Sequence, residues 1–282
     1  MSPTPVLGTI SEDALAALSE SSRACIERLC MHEPDRFELT NECVISYVLA
    51  AVLVLLYERA GGLRVLLTTR SKELRSHPGQ TALPGGKVDQ SDAGVVETAF
   101  REANEEVGLP LRSPHVHTLC SLEPFVSPKG VLVTPVIAFL DDVGVLDGLQ
   151  AAPGEVACIF DHPLEAVLEP ELLEALALVP RGSDDWPYEA ELHNFTDAPW
   201  LGSMYRLHRF RSTASPVKGL TADILLATAG IAYARESVFP RWGPGQWRSF
   251  GEVQRALEAV TTPARFTPPP GHVVPTTTTV RA

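Results

Sequence analysis

The sequence predicts an α/β domain, and three observations carry that reading. Two β-rich apolar runs, Val44 to Tyr57 and Leu63 to Thr69, flank the Gly-containing turn Glu58-Arg59-Ala60-Gly61-Gly62. A helix of period 3.6 follows a Pro/Gly-rich irregular stretch, and further strands and helices come after it. With 282 residues and 45% hydrophobic content, the chain is long enough to bury one sizeable core with added segments.

In chain order, Leu15, Leu18, Ile26 and Leu29 recur at helical spacing within Ser11 to Cys30, which predicts one amphipathic helix packed on the domain. A loop runs from Pro34 to Asn41, and the two strands of the hairpin follow. Residues 71 to 91 are broken by Pro78, Gly79, Pro84, Gly85 and Gly86, and a helix is expected from an N-cap at Ser91 or Asp92 to a stop at Gly108, with Pro110 beyond. Strands are expected at Val131 to Phe139 and Glu155 to Phe160, with Pro135 marking an edge or a bulge. Pro163 to Leu178 reads as interrupted helix. Residues 180 to 200 read as a long insertion, a binding loop or plain surface, with Asp184, Asp185 and Trp186 at its tip. A strand at Met204 to Arg211, a helix from Leu220 to Ala234 and a short helix near Gly251 to Val260 complete the ordered part. The Pro/Thr-rich tail is expected to be disordered. The resulting layout is a helical extension over 1–43, the main domain over 44–260 and the tail over 261–282.

Composition excludes several classes of function. A formal charge of −12, from 35 acids against 23 bases, argues against general nucleic-acid binding, so a polyanionic small-molecule substrate would need metal ions and local Arg or Lys. The run from Val44 to Tyr57 is too short for a comfortable membrane span. Cys25, Cys30, Cys43, Cys120 and Cys158 form no CxxC pair and read as small buried residues in a reducing compartment. No secretion or transit pattern is present and the C-terminal Val-Arg-Ala is no peroxisomal address. An intracellular site is therefore expected, with cytoplasm, peroxisome and mitochondrion left open and the oligomeric state unread. A serine-hydrolase GxSxG and a P-loop GxxxxGK[ST] are both missing.

The chemistry concentrates in Gly85 to Leu109. Val96, Ala99, Phe100, Ala103 and Val107 form one apolar stripe, which places Glu102 and Glu106 one above the other on an adjacent face, with Glu105 to the side. An arbitrary Glu-Glu pair on a helix is usually a solvated face. Here a Gly-Gly bend precedes it, where backbone can approach a metal or phosphate closely, so that a glycine carbonyl and the carboxylates can converge on one hard cation, Mg²⁺ or Mn²⁺.

These residues resemble the box of the Nudix hydrolases. Arg101-Glu102-Ala103-Asn104-Glu105-Glu106-Val107-Gly108-Leu109 matches its second half, while Asp92 stands for the usual first Glu and one extra residue follows it. Leu66-Leu67-Thr68-Thr69-Arg70-Ser71, Arg75, Gly79 and Leu83-Pro84-Gly85-Gly86 further resemble the signature of the coenzyme A diphosphatase branch, with Leu83 in place of Phe. The resemblance covers roughly residues 44 to 236. It implies an α/β/α sandwich around a mixed β-sheet, here with an extra N-terminal helix and a C-terminal tail. It also implies Mg²⁺- or Mn²⁺-dependent hydrolysis of coenzyme A to 3′-phosphoadenosine 5′-phosphate and phosphopantetheine.

On spacing and on matching positions, Glu102 and Glu106 are the metal ligands. Glu105 is a third ligand or the base, and Gly86 lends its carbonyl. Arg101 orients the carboxylates, and Glu155 is a candidate for the acid supplied from outside the box. Arg70 and Arg75 are expected on phosphate, with Gly85 and Gly86 close to substrate. Lys72, Lys87 and His77 are weaker candidates, and His115 and His117 read as a solvated strand face. Rival readings are a hydrolase of oxidised nucleoside triphosphates (8-oxo-dGTP) or ADP-ribose, and a Nudix-fold binding module without activity.

Overall fold

The computed structural model describes residues 10–34, 48–127 and 130–261. Strands β1 (Val48–Arg59) and β2 (Gly62–Arg70) form the expected hairpin, turned through Ala60 (φ 53°) and Gly61 (φ 78°). Two consecutive left-handed residues give the turn a twist that matches the strands it joins. Residues 44 to 47 of the expected first strand lie outside the described residues.

Beyond the hairpin the two strands part. β1 pairs β2 from Leu56 to Arg59, and on the same edge it pairs β4 (Gly85–Lys87) from Ala50 to Val52; β2 in turn pairs β3 (Thr81–Ala82) at Thr68 and Thr69. The Gly85-Gly86 pair is thus wedged into a split in the sheet. The other edge of β1 runs parallel to β7 (Val131–Leu140), which carries β5 (Val116–Ser121) and β6 (Phe125–Val126), and β8 (Val156–Pro163) covers β2. One parallel pairing among antiparallel ones makes the sheet mixed.

Alternation along β1 sorts its side chains into two cores, as period 2 requires. Ala51, Leu53, Leu55 and Tyr57 pack with Ala99, Ala103 and Val107 of α3 (Val95–Val107). Ala50, Val54 and Leu56 pack on the other face with Cys25, Ile26 and Leu29 of α2 (Glu20–Cys30), after the short α1 (Glu12–Ala16), and with Leu225 and Ala229 of α4 (Gly219–Tyr233). The layering is the α/β/α sandwich that the resemblance implied, and each fully buried Leu contributes about 1.5–3 kcal/mol. A second sheet joins β9 (His193–Trp200), β10 (Ser203–Phe210) and β11 (Val217–Lys218), and α5 (Phe250–Thr261) ends the described chain.

Several expectations are corrected. The helix read over Ser11 to Cys30 is two helices, because Ser19 caps the second: its Oγ accepts from Ser22 N (3.2 Å) and its own N–H donates to Glu58 (3.0 Å). The helix expected from Ser91 or Asp92 begins at Val95, since the Asp92 carboxylate is engaged by Thr98 and Arg101 instead of the helix amides. Its stop at left-handed Gly108 (φ 71°) is as expected.

Pro135 lies in a strand with neighbours on both sides, not at an edge. Its carbonyl accepts from Leu122 N (3.0 Å) where β5 has ended and β6 has not begun, so the missing N–H falls at an interruption of the pairing. Pro163 to Leu178 holds two short 3₁₀ turns, Glu165–Val167 and Pro170–Leu173. The insertion at 180–200 contributes a full strand, and Trp186 is no exposed tip: its ring is fully buried and Nε1 donates to Ala190 O (2.7 Å). Cys25 and Cys120 are buried but Cys30 and Cys158 are exposed. Cys43 lies outside the described residues, as does the tail from 262. No helix among the described residues is long and apolar enough to cross a membrane.

Candidate active site

The apolar stripe of α3 fixes its rotation: Ala99, Ala103 and Val107 are fully buried against β1, so Glu102 and Glu106 are turned toward the glycine wedge of β4. Gly85 N donates to Glu106 Oε2 (3.2 Å), and a Cβ on Gly86 would collide with the Glu102 carboxylate. A Cβ on Gly85 would stand 2.6 Å from Val52 Cα, so position 85 needs glycine for space, whereas at 86 only the Glu102 side chain would have to move. Glu106 retains 7% of its surface.

Arg101 is the hub of the outer rim. Its Nε and Nη2 clasp both oxygens of Asp92 (2.9 and 3.0 Å), Nη1 reaches Glu102 (3.1 Å) and Glu105 (3.1 Å), and Nη2 also donates to Lys87 O (3.1 Å). The bond from Arg101 holds the Asp92 carboxyl well below the usual carboxylate range. Asp92, which replaces the usual Glu of the box, therefore acts on the carboxylates through Arg101. Its role is a finding that the spacing did not disclose.

The inner pair is electrostatically unsatisfied. Burial pushes the Glu102 carboxyl up, and it pushes Glu106 up to about 7; the Gly85 amide and Arg70 pull Glu106 the other way, while the charges of Glu102 and Glu155 add to the rise. Two half-desolvated carboxylates beside a glycine strand form an all-oxygen donor set, which fits a hard divalent cation. Among the described residues no three acidic, His or Cys side chains already close around one point. Glu105 is held off by Arg101, and its side chain is 54% exposed.

Arg70 ends β2 where the register with β8 slips; its Nη1 stands 3.9 Å from Glu106 Oε1, and its Nε is buried with no acceptor. Glu155, exposed just before β8, is near enough for its charge to act on Glu106, and its carbonyl accepts from Ser71 N (2.8 Å). Arg70, Glu102, Glu106, Gly85, Gly86 and Glu155 thus gather at one place, with Arg101 and Glu105 at the rim. Arg75 is exposed in the 71–80 loop, and no hydrogen bond or ion pair among the described residues ties it to the carboxylates. Lys72 packs by Gly79, Lys87 contributes its carbonyl, and His77 Nδ1 pairs with Gln80 Oε1 (3.2 Å). His115 and His117 are not a bare solvated face, for they grip the two oxygens of Asp141 (2.9 and 2.8 Å). A hydroxyl knot that sequence reading missed, Thr81 to Ser215 (2.7 Å) and Thr69 to Ser215 (2.8 Å), ties β2 and β3 to the loop after β10. Partners so distant in sequence leave no local signal.

A family model described as NUDIX domain matches residues 48–181. Among curated proteins the chain is 36% identical over 212 residues to Nudix hydrolase 15, mitochondrial, of Arabidopsis thaliana, covering 73% of this chain and 64% of that one. It therefore spans just under two thirds of that relative. It is 34% identical over 231 residues to Nudix hydrolase 22, chloroplastic, of the same plant (80% of this chain, 68% of that one). To Peroxisomal coenzyme A diphosphatase NUDT7 of Mus musculus it is 35% identical over 185 residues, covering 64% and 69%. Among solved structures, a C. elegans Ap4A hydrolase complex overlaps 43% of this chain and 84% of that one at 24% identity, with a TM-score of 0.35.

Proposed function

The chain belongs to the Nudix hydrolase family, and from that premise we propose that it hydrolyses the diphosphate linkage of coenzyme A or its derivatives, using Mg²⁺ or Mn²⁺. The observation that carries the reading is the pair Glu102 and Glu106, one helical turn apart, desolvated, and facing a Gly-Gly strand. Nudix hydrolases generally need a divalent metal, and these two carboxylates would hold it, with Gly86 and Glu105 as further oxygen donors.

A cation bound there supplies charge neutralisation at the phosphoryl oxygens and acidifies water. The chain's own groups do the rest. Arg70, with a buried donor in want of an acceptor, is placed to bind a phosphate oxygen. Arg101, anchored on Asp92, orients Glu102 and Glu105. Glu105 and Glu155 are the accessible carboxylates able to take a proton from the attacking water. Arg75 is exposed in the 71–80 loop and, on the branch signature alone, is proposed to meet a phosphate of the substrate.

Coenzyme A is preferred over ADP-ribose and oxidised nucleoside triphosphates because the Leu66 to Gly86 signature matches that branch and because NUDT7 of the mouse, named a coenzyme A diphosphatase, is among the relatives. Turnover of coenzyme A, ADP-ribose and 8-oxo-dGTP compared with Mg²⁺ or Mn²⁺ tests the choice. Coenzyme A is expected to show the highest kcat/KM, with Glu102→Gln inert. A preference for either rival substrate would refute it, and no turnover of any would favour a binding module.

A further inference from the structure

A cavity of about 530 Å³ lies against α4, β6 and the segment before α5, and none of Arg70, Gly86, Glu102, Glu106 or Glu155 lines it. Register places it well apart from the glycine wedge. Lys87, Ala50, Val133 and Phe125 stand side by side on successive strands, so three strand spacings, roughly 14 Å, separate β4 from the cavity wall. Its volume is that of an ordinary small-molecule pocket, roughly 300–1,000 Å³.

The walls are flat and aromatic. Trp200, Trp242 and Trp247 all line the cavity, with Tyr205 beside Trp200 at 5.6 Å between ring centres, while α4 presents the small Ala227 and Gly230. Gaps opposite flat rings suit a planar guest.

The charged lining is mixed, with Arg241 and Arg248 standing among the acids Glu33, Glu123 and Asp223. The Arg241 guanidinium lies over the Trp242 ring (4.4 Å), largely withdrawn from solvent, with Asp223 and Glu236 near enough for their charge to act on it. Arg248 lines the same cavity and the neighbouring one, which Arg241 and Trp242 also share. Asp223 faces the cavity, hydrogen-bonded to Tyr205; burial pushes its carboxyl up to about 8 while the Arg241 charge pulls it the other way.

The segment is built rather than merely exposed. Arg206 Nη1 donates to Pro240 O (3.0 Å), the His208 ring meets Arg241 O (2.8 Å), and Gln246 Oε1 accepts from Arg206 N (2.9 Å) and Gly243 N (2.8 Å). Trp247 Nε1 reaches Leu201 O (3.3 Å). Arg241 and its tryptophans are therefore placed before any ligand arrives.

We propose that this cavity is a second ligand site, separate from the carboxylate face, that takes a nucleoside phosphate: the base against the tryptophan rings, the phosphate on Arg241 and Arg248. The inference rests on the cavity and is independent of the reaction proposed above.

AMP titrated into the full chain in EDTA, read by tryptophan emission, tests it. Three of the four tryptophans line the cavity and the fourth, Trp186, is buried elsewhere, so the signal reports this site. Saturable quenching is expected, weakened about ten-fold or more in Arg241→Gln and in Arg248→Gln, and also for adenosine, which lacks the phosphate. Arg248 is exposed, so its variant decides the matter should Arg241→Gln fail to fold. Glu102→Gln is expected to bind AMP as the parent does. Absence of quenching at millimolar AMP, or parental affinity in both arginine variants, would overturn the proposal. So would loss of binding in Glu102→Gln, or quenching by decanoate without any by AMP.

Discussion

Glu106→Gln separates the charge of the inner carboxylate from its shape. In the metal-free protein burial raises this group from 4.5 to about 7. The folded state then holds a proton that the unfolded chain has already released, so stability is full below the unfolded value and falls as pH rises from about 4.5 to about 7. At 1.36 kcal/mol per pH unit, that shift corresponds to about 3 kcal/mol withheld from the metal-free protein above neutrality. The side chain is 10% exposed, so solvent screening removes little of it.

Gln keeps the volume and an acceptor for Gly85 N, and it has no charge to desolvate. Urea unfolding in EDTA is therefore expected to show the variant more stable than the parent at pH 8, by up to about 3 kcal/mol, and no different near pH 4. Mn²⁺ is expected to close that gap by stabilising the parent alone, while metal-dependent turnover in the variant falls by about a thousand-fold or more, several kcal/mol of lost charge stabilisation. A variant whose stability varies with pH as the parent's does, or one that hydrolyses at full rate, would refute the reasoning.

Mn²⁺ affinity of the parent, followed by calorimetry, is expected to rise by up to about ten-fold per pH unit below pH 7 and to level off above it, as one proton leaves Glu106 on binding. Gly86→Ala and Gly85→Ala should differ in kind. The new methyl at 86 meets the movable Glu102 carboxylate and lowers activity with the melting temperature nearly kept, whereas at 85 it meets the β1 backbone and is expected to cost about 2–4 kcal/mol in urea unfolding. Asp92→Asn breaks the clasp on Arg101, and activity is expected to drop about 10- to 100-fold with KM for substrate nearly unchanged. Trp186→Ala is expected to destabilise by about 3–5 kcal/mol, which chemical denaturation would detect and which an exposed loop tip would not show.

The sequence by itself determined the elements whose cause is local. A Gly-Gly turn between apolar runs makes the β1–β2 hairpin, and Gly108 stops α3 because a left-handed residue ends a helix wherever the rest of the chain lies. The stripe of Ala99, Ala103 and Val107 already dictates that Glu102 and Glu106 share a face, since 3.6 residues per turn admits no other arrangement. The edge-or-bulge reading of Pro135, the single N-terminal helix and the loop-tip reading of Trp186 came from local patterns, and each was settled by contacts those patterns do not show: the break between β5 and β6, the Ser19 cap held by Glu58, and the Ala190 carbonyl that takes the Trp186 N–H. Tertiary structure alone decided that β1 and β2 diverge to admit Gly85 and Gly86, and that Asp92 serves Arg101 in place of the helix end. Burial also decided how hard it is to keep Glu106 charged, because desolvation depends on every element packed around a group and on none of them in particular.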